Sequence, residues 1–134
     1  MSRKTPIWVD ERDVVAIHES LLAQHGGVAG LRDRGLLESA LARPRQHYTY
    51  AERVGIIEMA ALYTTGIVKN HPFVDGNKRA GFLAGVMFLE LNGFNFSASE
   101  EDVIQTVLAL AASELDETGY AEWLRANTKR ARSR

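Results

Sequence analysis

Apolar residues recur along this chain at helical rather than strand spacing. After a short extended entry at Ile7, Trp8 and Val9, Asp10 is placed to cap a helix running to about Gln24. Val14, Ile17, His18, Leu21 and Leu22 share one face of it, and Gly26-Gly27 ends the run. His18 lies on that apolar stripe and reads as a hydrogen-bonded core histidine rather than a ligand. A shorter helix is predicted from about Gly35 to Ala42. It stops before Pro44, because a residue preceding proline is steered away from helical backbone. Residues 43–52 then lose all periodicity and read as a loop or small hairpin linking two helices.

The third predicted helix, about Arg53 to Lys69, is apolar on more than one side, which places it at the centre of a bundle. A polar segment follows, then a fourth helix to about Asn92, with Gly93 as its terminator. Gly81 and Gly85 fall four apart on that helix and allow a neighbour to approach closely. A fifth helix opens at Ser99, with Glu100, Glu101 and Asp102 favourable to its dipole. A last one carries Tyr120, Trp123 and Leu124. The expectation is one all-α domain over residues 1–128, a compact six-helix bundle, followed by a basic tail at 129–134.

Composition narrows the chemistry more than the fold. The 134 residues, 46% hydrophobic and 25% charged, suit a single globular domain with a real core. Cysteine is absent, so thiolate catalysis, thiolate zinc sites and disulfides are excluded, as befits a reducing cytoplasm. The longest uncharged helical stretch, Ala80 to Leu89, is about half what a bilayer span needs. Residues 1–20 carry charges throughout and show no secretory pattern. Of 16 basic residues four lie in the last six positions, leaving 12 against 17 acidic groups over residues 1–128, a net of −5. A nucleic-acid binder carries its positive charge on the body, so no direct nucleic-acid partner and no membrane are expected. The tail reads as a solvated, frayed terminus.

One segment concentrates polar chemistry that helix packing does not require: Lys69, Asn70, His71, Asp75, Gly76, Asn77, Lys78 and Arg79. A helix start offers free backbone N–H groups and partial positive charge, a ready anion site. Gly76 lets a ligand approach the backbone, and Asn77, Lys78 and Arg79 add donors at the same turn. Two cations at a helix start oppose its dipole, a penalty that a bound phosphate chain reverses. Asp75 beside such a chain suits a Mg²⁺ ligand, since one carboxylate plus phosphate oxygens is a usual set for that ion. Imidazole, with an ordinary pKa of about 6.5, makes His71 suitable as a general base. The same residues also have plainer readings: a structural histidine before proline, an aspartate capping a helix, and two surface cations. Spacing alone leaves both readings open.

The run His71-Pro72-Phe73-Val74-Asp75-Gly76-Asn77-Lys78-Arg79 resembles the signature of the Fic/Doc family, H-P-F-x-[DE]-G-N-G-R-x-x-R. Lys78 stands where that pattern has its second glycine, and Phe82 where it has its last arginine. Both departures resemble the Doc (death on curing) branch, with its motif H-x-F-x-D-[AG]-N-K-R. The segments His25-Gly26-Gly27 to Leu31-Arg32-Asp33, Leu37 to Leu41 and Leu89 to Phe94 are also similar to Doc-like toxins, so the resemblance covers most of the chain.

The resemblance implies a small all-α bundle and a toxin of a toxin–antitoxin pair. Fic enzymes mostly transfer AMP to a protein hydroxyl. The Doc branch instead binds ATP reversed and phosphorylates a threonine of translation elongation factor Tu. Carried over by position, His71 deprotonates the acceptor hydroxyl, Asp75 holds Mg²⁺, and Gly76, Asn77, Lys78 and Arg79 bind phosphates and stabilise the transferring group. Lys69 is a further phosphate contact on this reading. Segment 43–52 falls where the family has a flap that pairs with the target. The built-in inhibitory pattern [ST]-x-x-x-E-[GN] is not found, Ser113 to Glu117 being followed by Thr118, so a small antitoxin acting in trans is expected. Pro72 and Gly76 are Fic-like and keep AMP transfer, or a non-catalytic binding role, as the alternatives.

Overall fold

The computed structural model describes residues 5–50 and 55–132. It contains α1 (Glu11–His25), α2 (Arg34–Tyr50), α3 (Ile56–Asn70), α4 (Asn77–Leu91), β1 (Phe94–Phe96), α5 (Glu100–Ala111), α6 (Glu117–Ala126) and β2 (Thr128–Arg130). The described residues thus form an all-α bundle of six helices with one small antiparallel pair of strands.

Each end of the first helix follows from local chemistry. Asp10 accepts from the Asp13 N–H while Asp13 accepts from the Asp10 N–H, a reciprocal capping box. At the far end the Gly26 N–H closes on the Leu22 carbonyl with φ 76°, a backbone region suited to glycine. Ser99 and Asp116 cap α5 and α6, their side chains accepting from the N–H groups of Asp102 and Gly119.

The centre is α3, with ten consecutive buried residues from Met59 to Val68. Against it α4 packs with almost no separation. A Cβ at Gly81 would lie 3.0 Å from Val68 Cγ2, and one at Gly85 would lie 2.9 Å from the Ala60 carbonyl and collide with Thr64 Oγ1. The two glycines therefore do what their spacing predicts. Because α3 and α4 are locked together, the loop that joins them has fixed ends. The extended entry is pinned as well: Tyr63 exchanges hydrogen bonds with the backbone of Val9, and Asn92 with that of Ile7.

Two expectations are corrected. The second helix does not stop before Pro44 but continues to Tyr50, with Pro44 buried inside it, so residues 43–50 are helix rather than loop or hairpin. Proline costs this helix one backbone bond, and tertiary contacts hold the segment helical. Arg43 forms a two-pronged ion pair with Glu117 at 3.1 and 3.3 Å. Arg45 lies over the Trp8 ring, and Tyr48 meets Trp8 edge-on. The rest of the expected flap, 51–52, lies outside the described residues, as does the start of the predicted third helix. The second correction concerns the tail. Lys129 and Arg130 belong to β2, paired with Asn95 and Phe94, rather than to a frayed end. Phe94 and Phe96 alternate with Asn95, a period-two signal three residues long and too short to stand out.

Candidate active site

The polar segment occupies the α3–α4 turn, and the carbonyls of Asn70, His71, Pro72 and Asp75 and the Val74 N–H are met by residues distant in sequence. His71 ends α3 in the left-handed conformation, φ 56° and ψ 53°, with its N–H on the Ile67 carbonyl. The Pro72 carbonyl accepts from the N–H groups of Arg32 and Asp33 at 2.6 and 2.9 Å. Phe73 is buried and bridges Leu31, and the Val74 N–H donates to the Gly30 carbonyl. The glycine-rich loop after α1 is thus laid alongside the motif.

Asn77 is the internal brace. It is 4% exposed, and its carboxamide accepts from the Phe73 N–H and donates to the Phe73 carbonyl, both at 2.9 Å. Its side chain is used within the turn, so what Asn77 presents to an anion is its backbone N–H. His18 braces from below. Its Nε2 lies 2.7 Å from the Asp75 carbonyl, and its ring stacks on Phe73 at 3.9 Å. It is a buried, hydrogen-bonded histidine, as its place on the apolar stripe predicts.

Asp75 does not cap α4. The N-cap is Gly76, in the left-handed region with φ 81° and no side-chain cap. The Asp75 carboxylate accepts instead from the Gly76 N–H at 2.9 Å and from the Val28 N–H at 3.2 Å. A Cβ at Gly27 would come within 2.8 Å of it, so the loop needs glycine there. Each oxygen keeps a further lone pair, and Asp75 is exposed.

With no side-chain cap, the first-turn N–H groups of α4 have no partner inside the helix. Lys78 and Arg79 are exposed on that same turn. Together with His71, Asp75, Gly76 and Asn77 they line one cleft of about 340 Å³. The rest of its lining is apolar: Phe82 from α4 and Val103, Ile104, Val107 and Leu108 from α5, with Ile104 and Leu108 each half exposed. The arrangement has an anion-attracting helix start, two cations, an imidazole, a single carboxylate and an apolar flank.

Among the described residues no group of three or more His, Asp or Glu forms a ready metal cage. The donor set fits Mg²⁺ bound by Asp75 together with phosphate oxygens, the one-carboxylate manner of that ion. Lys69 is not brought to the cleft; its ammonium donates to Ser113 Oγ in the α5–α6 turn. The sequence reading missed Arg32, Gly27, Val28 and the α5 wall. The signal for the first three was the cluster of glycines at 26, 27 and 30, all at positive φ. The wall carried none beyond ordinary amphipathicity.

Comparison with known proteins agrees with this geometry. Residues 8–89 match the Fic/DOC family, well over half of the chain, and the protein belongs to that family. It is 29% identical over 117 residues to a protein of Escherichia phage P1 named "Protein kinase doc", covering 87% of this chain and 92% of the relative. Over 74 residues it is 38% identical to a protein named "Toxin Doc" from Mycolicibacterium smegmatis, covering 54% of this chain and 57% of that one.

Proposed function

We propose that this protein is the toxin of a toxin–antitoxin pair, an ATP-dependent kinase that phosphorylates a threonine hydroxyl of translation elongation factor Tu and so blocks translation. One observation carries the choice of phosphate over AMP. Lys78 and Phe82, the two departures from the general Fic pattern, line the same cleft as His71 and Asp75. The relative named as a protein kinase supports the same choice.

The chain's own residues supply each part of the reaction. His71 accepts the hydroxyl proton as the threonine oxygen attacks the γ-phosphorus; the bond from that phosphorus to the bridging oxygen breaks, and ADP leaves. The free N–H groups at the start of α4, with Lys78 and Arg79, hold phosphate oxygens and meet the charge that builds on the transferring group. Asp75, fixed by Gly76 and Val28, would hold Mg²⁺, which neutralises phosphate charge when bound. A cation replaces glycine at position 78 and an aromatic ring replaces arginine at position 82, so the phosphate chain is gripped at one end of the turn only.

A second reading, AMP transfer to a protein hydroxyl, is favoured by Pro72 and Gly76, which match the general Fic motif. On either reading a small antitoxin in trans is the expected restraint, and the cytoplasm, where ATP and the elongation factor meet, is the place of action. Expression in a bacterial host tests the catalytic account. The wild type should arrest growth and His71→Ala should not. Equal arrest by both rejects it.

A further inference from the structure

The geometry points to Arg32 as the positioning residue for His71, an inference that rests on the catalytic reading of His71 given above. The Arg32 guanidinium donates through Nε to the His71 carbonyl at 2.7 Å and through Nη2 to the Asn70 carbonyl at 3.0 Å. Its own N–H donates to the Pro72 carbonyl at 2.6 Å. One residue, 38 positions or more away in sequence, therefore grips three successive carbonyls at the point where α3 ends and the imidazole is presented.

Two features of that point make the grip consequential. His71 is left-handed, a conformation that a few per cent of non-glycine residues adopt, asparagine, aspartate and histidine most often, and one that costs energy unless its surroundings hold it. The last carbonyls of a helix also carry partial negative charge and lack partners within it. A planar guanidinium satisfies two such carbonyls at once and keeps the αL residue from relaxing. Lysine, a point charge on a flexible stem, cannot span them in the same fixed fork. Arg32 does not line the cleft, so it acts on the reaction through His71 rather than on the phosphates.

The test compares wild type with Arg32→Ala and Arg32→Lys in the full chain, with elongation factor Tu and ATP–Mg²⁺ as substrates. Displacing a reacting group by about 1 Å costs about a hundredfold in rate. Arg32→Ala should therefore lower kcat by about ten- to a hundredfold while the KM for ATP changes less than about threefold, with Arg32→Lys between it and wild type. An active wild type with unchanged kcat in Arg32→Ala overturns the assignment, as does a raised KM for ATP at unchanged kcat. A second readout needs no activity. The Cα and Cβ chemical shifts of His71 should leave their left-handed values in Arg32→Lys, and, if it folds, in Arg32→Ala. Wild-type shifts in either variant overturn the inference. A wild type that transfers nothing counts against the proposed function alone, and the chemical shifts still decide the role of Arg32.

Discussion

The Nε2 of His18 lies 2.7 Å from the carbonyl oxygen of Asp75, a contact across 57 residues that joins the middle of α1 to the proposed metal ligand. A carbonyl only accepts, so the ring nitrogen facing it carries the proton. With Asn77 holding Phe73 and Arg32 holding His71, the motif is fixed at three alternate residues by three different elements. A loop held in that way is ordered before any ligand arrives, which is what orientation-dependent chemistry needs.

His18→Phe preserves the stack on Phe73 but removes the donor to Asp75. Stability should fall by about 1 kcal/mol, the usual net worth of one such bond, more if the carbonyl is left without water. Transfer should also need more Mg²⁺ to reach half its maximal rate. Denaturant melts and a Mg²⁺ titration check the two effects; an unchanged titration would detach His18 from the site.

Asn77→Ala removes two bonds to buried backbone at once. The expected loss is about 2–4 kcal/mol, because Phe73 is left with an unpaired N–H and carbonyl in a dry setting. Asn77→Asp retains the acceptor but turns a second oxygen toward the Phe73 carbonyl, and should lose nearly as much. Urea unfolding of both variants decides.

Gly85→Ala and Gly26→Ala separate crowding from backbone freedom. At Gly85 the new methyl meets Thr64 and the Ala60 carbonyl in the α3–α4 seam, and should cost about 1–3 kcal/mol. At Gly26 the space is open and only the backbone, φ 76° with ψ −170° in a region almost confined to glycine, opposes alanine, at about 1–3 kcal/mol. Thermal melts should show both variants destabilised; a Gly85→Ala melt equal to wild type would contradict the tight seam.

Burial pushes the Tyr63 phenol up to about 12. Its folded pKa is raised above the ordinary value near 10, so its contribution to stability is complete below about pH 10 and is lost as pH rises toward 12. Burial also raises the Tyr120 phenol, which adds a loss in the same direction from about pH 10 upward. Tyr63→Phe should be less stable at neutral pH, having lost its bonds to Val9, yet show a shallower decline between pH 10 and 12. A decline as steep as wild type would mean that Tyr63 does not carry the slope.

Lys78→Gly restores the general Fic residue at one position only. Phosphate transfer should fall, and AMP transfer should not appear, because Phe82 still offers no guanidinium to the far side of the turn. Full kinase activity in the variant would remove Lys78 from nucleotide binding.

What was legible in the sequence divides along physical lines. The helices were readable because their apolar stripes repeat over many residues and because Asp10, Ser99, Gly26 and Gly93 punctuate them. His71, Asp75, Gly76, Asn77, Lys78 and Arg79 were readable as a cluster because they lie within nine positions. The extension of α2 through Pro44 was not, since local proline chemistry argues against it while contacts with Trp8 and Glu117, both far away in sequence, argue for it. The internal use of the Asn77 carboxamide was equally hidden, because an asparagine at a helix start looks the same whether it faces a ligand or its own turn. Lys69 lies two residues from His71 along the chain, yet its ammonium reaches Ser113, away from the cleft.

The central claim is a transfer reaction with a defined product. Incubating the purified protein with elongation factor Tu, ATP and Mg²⁺ and weighing the intact factor tests it directly. The account predicts a single phosphate-sized gain on a threonine, absent with His71→Ala. An AMP-sized gain, or an unmodified factor beside an active growth-arresting toxin, would contradict it.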